Sequence, residues 1–290
     1  MKGIILAGGL GNRLSPLTSV FSKHLLPVYD KPMIYYPISV LMLAKIQDIM
    51  IISTERDIPL YKELLGNGSQ FGASISYCIQ HKPGGIPEAL IVGEEFIGDD
   101  RVCLALGDNL FFGHDLTSVL ARGANLNSGA IVIGYKVKDP NRFGVVELDE
   151  DNNVLSLEEK PKQPKSNIAV TGLYFYDNEC VKIAKSLKPS KRGELEITDV
   201  NLAYMKEDEL KCEVLGRGYA WLDTGTHESL LQAGQFVQIM EERTGTKVAC
   251  LEEIGLANGW IEIEDLRENI RNSPNSSYVN YIEELINENN

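Results

Sequence analysis

Gly8, Gly9 and Gly11 follow a short apolar run, and Arg13 and Lys23 stand just beyond them in the stretch Leu6-Ala-Gly-Gly-Leu-Gly-Asn-Arg-Leu-Ser-Pro-Leu-Thr18 and its continuation. Glycines at the end of a strand let backbone N–H groups approach phosphate oxygens, because no Cβ stands in the way. The two cations add fixed positive charge, so the expected chemistry is the grip of a nucleoside polyphosphate. A dinucleotide fingerprint needs a third glycine where Leu14 stands, which counts against a nicotinamide-dependent enzyme, and a P-loop needs Gly-Lys-Ser/Thr, which the chain lacks here. Taken alone, the glycines also suit a plain strand-to-helix turn with two surface cations.

Two acids lie at the ends of apolar segments far apart in the chain. Asp108 follows Val102 to Leu106 and Gly107, and Asp223 follows Ala220-Trp221-Leu222. Carboxylates so placed can converge on one hard cation, and Mg²⁺ is commonly held by one or two carboxylates plus substrate phosphates. Either Asp alone reads equally as a turn former. Glu159-Lys160 ends a further apolar segment before a Pro/Lys-rich loop, and in isolation is a solvated charge pair. His24, His81, His114 and His227 are scattered and receive no role.

The elements that must carry these residues alternate through the first half of the chain. Gly3 to Ala7, Asp48 to Ser53, Ser74 to Ile79, Val102 to Leu106 and Ala130 to Tyr135 read as strands, with helices near Pro32 to Lys45, Ile58 to Leu65, Pro87 to Phe96 and Leu116 to Leu126. That rhythm predicts an α/β fold, a mostly parallel twisted sheet with helices on both faces. Ligands of such sheets bind at the carboxyl ends of the strands, where Gly8 and Asp108 fall. The second half adds strands at Val145 to Leu148, Val154 to Glu158, Val170 to Tyr176 and Glu213 to Leu215, and helices near Asn178 to Ser186 and Ile197 to Glu207. We expect a core over residues 1–225 and a helical C-terminal extension over 226–290, with a long helix to about Arg243 and a last one over Tyr278 to Ile286.

The chain has 290 residues, 43% hydrophobic and 24% charged, which excludes disordered, collagenous and disulfide-scaffold classes. With 41 acidic against 28 basic residues the net charge is −13, unsuited to a nucleic-acid backbone. Five cysteines at wide spacings form no Cys-x-x-Cys pair and read as buried, reduced thiols. No apolar run is long enough for a signal peptide or a membrane span, so the expected location is the cytoplasm.

Taken together, these segments resemble the sugar nucleotidylyltransferases, and among them the short bacterial glucose-1-phosphate thymidylyltransferases. Besides the glycine loop, the resemblance rests on Lys31-Pro-Met-Ile-Tyr-Tyr-Pro37, Leu106-Gly-Asp-Asn109, Glu158-Glu-Lys-Pro161, Val170-Thr-Gly-Leu-Tyr-Phe-Tyr-Asp177, Arg192-Gly-Glu-Leu-Glu-Ile-Thr-Asp199 and Trp221-Leu-Asp-Thr-Gly225. It implies a Rossmann-like nucleotidyltransferase fold, and Mg²⁺-dependent conversion of dTTP and glucose 1-phosphate to dTDP-glucose and pyrophosphate. That product would enter dTDP-deoxysugar (dTDP-rhamnose) synthesis. It also implies a homotetramer under feedback by a downstream dTDP-sugar bound away from the catalytic site.

By the same resemblance Gln80 and Gly85 hydrogen-bond the base, Glu159 holds sugar hydroxyls and Lys160 the sugar phosphate. Gly144 and Val170 pack on the hexose, with Tyr174 and Glu194 near it. Arg13 and Lys23 would neutralise the α-phosphoryl group and the departing pyrophosphate, and Asp108 and Asp223 would hold the metal. Two departures stand out. Gly85-Ile-Pro-Glu-Ala89 replaces the usual Gly-Leu-Ala-Gln-Ala, setting Glu88 beside the expected nucleotide, and Phe143 replaces a frequent tyrosine near the sugar. A UTP-preferring uridylyltransferase and a non-catalytic regulatory subunit are the alternatives.

Overall fold

The computed structural model describes residues 1–290 except Leu10, Asn272, Asn289 and Asn290. The first half runs β1 (Lys2–Leu6), β2 (Pro27–Val28), β3 (Lys31–Pro32), α1 (Tyr35–Leu43), β4 (Asp48–Ser53), α2 (Ile58–Leu65), β5 (Ser74–Ile79), α3 (Glu88–Val92), α4 (Glu94–Ile97), β6 (Val102–Leu106), β7 (Asn109–Gly113) and α5 (Leu116–Ala124). The second half adds β8 (Ala130–Lys136), β9 (Gly144–Leu148), β10 (Val154–Glu159), β11 (Ile168–Tyr176), α6 (Glu179–Ser186), α7 (Ile197–Lys206), β12 (Leu210–Leu215) and β13 (Tyr219–Asp223). Four helices close the chain: α8 (His227–Thr244), α9 (Leu251–Ala257), α10 (Ile263–Ile270) and α11 (Ser277–Glu288).

The main sheet has the order β10-β9-β11-β6-β1-β4-β5, with β8 and β12 joined through β11. β5, β4, β1 and β6 are parallel neighbours, and β11 runs antiparallel to β6, β8 and β9. Since β10 opposes β9 and β12 is parallel to β8, only β10 and β11 run against the common direction. The mostly parallel sheet is therefore present. The alternation of strand side chains sorts the core: Ile5, Cys103, Ala105, Leu173 and Phe175 face α1, α2 and α5, whereas Ile4, Val102, Leu104, Tyr174 and Tyr176 face α3, α6 and α7.

Two short antiparallel ribbons stand outside this sheet: β2 pairs with β3, and β7 with β13. The helix expected from Pro32 begins only at Tyr35, because Lys31–Pro32 is drawn into the first ribbon. The helix expected over Pro87 to Phe96 is interrupted at Gly93, where a Cβ would meet Ile4 and the Ala89 carbonyl.

α8 opens with a capping box in which the Thr226 and Ser229 side chains exchange hydrogen bonds with each other's backbone N–H, and ends at Gly245 with φ of 70°. Ala233 and Val237 bury its inner face with Val28, Met33, Tyr36 and Leu110. Its other apolar residues are spread more widely, and Leu231 and Ile239 stand 63% and 55% exposed. Glu241, on the buried side of this helix, belongs to a network of four charges. Lys31 Nζ pairs with Asp30 and, at 3.0 Å, with Glu241, while Lys247 pairs with the same two acids. All five cysteines are free, four of them buried. Among the described residues no helix is long and apolar enough to cross a membrane.

Candidate active site

The parallel ladder continues past the strand ends and sets the site's first residues. Ala7 N–H donates to the Ile52 carbonyl at 2.8 Å, Gly107 N–H to Leu6 at 3.0 Å, and Gln80 N–H to Ser53 at 2.8 Å. Gly8, Asp108 and Gln80 thereby share the carboxyl edge of the sheet. A cavity of about 550 Å³ opens there. Gly8, Gly9, Arg13, Gln80, Gly85, Asp108, Gly144, Glu159, Lys160, Val170, Tyr174, Glu194 and Asp223 all line it.

Lys23 and Gly11 do not line this cavity, yet both shape it. Lys23 Nζ donates to Asp108 Oδ2. Gly11, at φ of 59°, starts a turn of helix, and the Thr18 hydroxyl closes on its carbonyl at 2.9 Å. Gly85 is a glycine by necessity: its φ is 97°, and a Cβ there would run into the Leu195 backbone that bridges to it.

Asp108 and Asp223 meet because of the β7–β13 ribbon, whose register sets Asp223 opposite Asn109. Buried Thr224 locks the junction, donating its N–H at 3.0 Å and its hydroxyl at 2.8 Å to the Asp108 carbonyl. Burial works against charge on Asp108, but Lys23 and the Asn109 amide hold its carboxyl well below the usual carboxylate range. Burial and the facing Asp108 push the Asp223 carboxyl up, only partly offset by Lys23, Arg13 and Arg142. Such repelling carboxylates are the donor set a hard divalent cation relieves. Among the described residues no group of three or more His, Cys, Asp or Glu is placed to hold a metal ion. His24 is pushed down to about 3 by burial and by the Lys23 charge, so it adds no positive charge beside Asp108.

Another part of the lining comes from β9, β10 and the start of α7. Glu159 Oε2 accepts from the Thr198 hydroxyl at 2.7 Å, and Lys160 Nζ lies 3.2 Å from Glu159 Oε1. Lys160 has φ of 45°, held by its N–H to the Phe143 carbonyl at 2.9 Å. Tyr174 is buried on the wall, stacked 6.0 Å from Tyr176, and burial with the nearby acids raises its phenol well above the usual range. The cavity thus brings Asp108, Asp223 and Arg13 together with Glu159 and Lys160, while Lys23 backs Asp108 from outside the lining.

The nucleotidyl transferase family pattern matches residues 2–239. The chain belongs to this family. Over 99% of both chains it is 56% identical to the glucose-1-phosphate thymidylyltransferase of Neisseria meningitidis. It is 54% identical to that of Xanthomonas campestris over 91% of this chain and 90% of the other. A solved Bacillus anthracis chain, described by the same activity and crystallised with sucrose, shares 46% identity at a TM-score of 0.76, covering 81% of this chain and 94% of that one.

Within this family frame, several cavity residues carried no signal of their own in the sequence. Asn109 Oδ1 accepts from Gly172 N–H at 3.0 Å and from Trp221 Nε1 at 2.6 Å, so Trp221, which alone reads as core, braces the acid ribbon. Phe143 packs edge-on against Trp221 with centroids 5.2 Å apart and gives the cavity wall an apolar ring. Arg142, Arg192 and Thr171 also line the cavity, and the Thr171 hydroxyl is buried without a partner. Glu88 does not crowd the nucleotide region: it is outside the cavity lining, and its carboxylate accepts from Gln80 Nε2 and, at 2.8 Å, from Gly84 N–H.

Proposed function

We propose that the chain transfers a thymidylyl group from dTTP to α-D-glucose 1-phosphate, releasing pyrophosphate and forming dTDP-glucose. The observation that carries this is one cavity lined by Asp108, Asp223 and Arg13 together with Glu159 and Lys160. An anionic sugar phosphate needs no protein nucleophile, so catalysis consists of positioning and charge stabilisation. The sugar phosphate oxygen attacks the α-phosphorus in line and the bond to pyrophosphate breaks. Lys160 anchors the attacking phosphate, Glu159 orients sugar hydroxyls, and Arg13 and Lys23 neutralise the transferring group and the departing pyrophosphate.

Asp108 and Asp223 would hold Mg²⁺, with phosphate oxygens and water completing its shell. When bound, the ion neutralises phosphate charge. Gly8, Gly9 and Gly11 bring backbone to the phosphates, Gln80 and Gly85 take the pyrimidine, and Gly144, Val170, Tyr174 and Glu194 surround the hexose. A matrix of triphosphates against sugar 1-phosphates, read by pyrophosphate release with and without Mg²⁺, tests this. The dTTP and glucose 1-phosphate pair should lead; a leading ATP or GTP, or no turnover at all, would overturn it.

We further propose a cytoplasmic homotetramer, committed to dTDP-deoxysugar synthesis and inhibited by a later dTDP-sugar at a second site. Leu231 and Ile239 on α8 support an interface, and the free cysteines fit a reducing compartment. A second cavity of about 690 Å³, reached by His114, Lys247 and Glu253, is apart from the catalytic one. Inhibition by dTDP-rhamnose should persist when both substrates saturate. Light scattering that shows a monomer removes the oligomer, and inhibition abolished by saturating substrates removes the second site.

A further inference from the structure

Gln80 is buried between the cavity and α3, and its side chain is clamped from one side. Nε2 donates to Glu88 Oε2, the same oxygen that accepts Gly84 N–H at 2.8 Å. An ionised carboxylate offers only acceptors, so this contact can be made by the nitrogen of the Gln80 amide and not by its oxygen. Oε1 is consequently turned toward Gly8, where a Cβ would stand 2.6 Å from it, and accepts no hydrogen bond from a described residue. The amide therefore presents a fixed polarity to whatever lies over the glycine loop.

We propose that Glu88 is a specificity-determining positioning residue, which locks the Gln80 amide so that Oε1 receives the imino N–H of uracil or thymine and the site rejects cytosine. This rests on the nucleotide reading given above. The two pyrimidine edges call for opposite amides. Uracil and thymine present a ring N–H beside a carbonyl, whereas cytosine presents a bare ring nitrogen beside an amino group. A carboxamide free to turn by half a rotation suits either edge; one held by a carboxylate suits the first only. Cytosine would then leave two acceptors face to face, and a site whose buried polar group is left unpaired discriminates strongly.

The test compares kcat/KM for dTTP and dCTP, each with glucose 1-phosphate, in the intact chain and in Glu88→Leu and Glu88→Asp. The first variant removes the acceptor at similar size. The second keeps the charge at the start of α3 but is too short to reach Gln80, and serves if Glu88→Leu fails to fold. We expect the parent to favour dTTP on the order of a hundredfold, and each folded variant to narrow that ratio about tenfold. Turnover with dTTP should fall less than the ratio does. A folded variant with the parent's full dTTP-to-dCTP ratio overturns the lock while leaving the nucleotide reading intact. A parent that turns over neither dTTP nor dCTP overturns both.

Discussion

Two regions of this chain each set a pair of acids among basic side chains, and they treat them in opposite ways. Beneath α8, Asp30 and Glu241 spend their carboxylate oxygens on Lys31 and Lys247, and Glu241 also accepts the Val248 N–H at 3.0 Å. In the cavity, Asp108 is satisfied by Lys23 and Asn109, but the Asp223 carboxylate takes no hydrogen bond from a described residue. Closed charge fixes geometry and asks for nothing more. Open charge, held in place by Thr224 and the β7–β13 ribbon, leaves a repulsion between carboxylates that a cation would relieve.

Removing one charge from each region breaks the comparison in different ways. The largest effect should come from Glu241→Gln, which leaves buried Lys31 and Lys247 facing one acid and should cost about 3 kcal/mol of stability. A urea unfolding curve with an unmoved midpoint would show that the network is not closed as described. Asp108→Asn and Asp223→Asn should each cut turnover on the order of a hundredfold, about 2.7 kcal/mol in barrier, and Asp223→Asn, which removes a repelling charge, should leave unfolding nearly unchanged. Near-normal rates in both at saturating Mg²⁺ would remove the metal role. A smaller effect is due at the base, where the thymine methyl is worth roughly 1 kcal/mol of apolar burial. Competition between dTTP and UTP should thus favour dTTP by about fivefold, and a preference for UTP would favour the uridylyltransferase alternative. The smallest effect belongs to an exposed pair, Arg122 and Glu213, 3.1 Å apart at the surface. Arg122→Ala should shift stability by under ~1 kcal/mol, and a larger loss would mean that exposure does not set the worth of a pair here.

The sheet was legible because β1, β4 and β6 are apolar runs bounded by turn residues. β7 was not, since Asn109 to Gly113 follows Gly107-Asp108 at once and looks like the tail of β6; only its partner, more than a hundred residues away, makes it a separate ribbon. The tail read as helical, but its division into α8 to α11 depends on packing around Cys250, Leu266 and Ile282, a cluster of its own. At the site, glycines, cations and acids announced themselves by type. Asn109, Thr198 and Thr224 did not, because an ordinary polar residue gains its role only from the partner that the fold brings to it. Glu88 was visible as a departure, yet its direction was not: a sequence shows an acid near a nucleotide without showing which amide it faces.

The grip of Thr224 on the Asp108 carbonyl has a consequence for synthesis on the ribosome. Every parallel strand from β1 to β6 is made by residue 106, and β11, which extends their sheet, by residue 176. A nascent chain of that length can assemble most of the sheet, but it holds one of the two acids and none of β13. The spacing of the acids arrives only with the forty-odd residues that follow, so the order of translation keeps an unfinished chain from presenting the two carboxylates together.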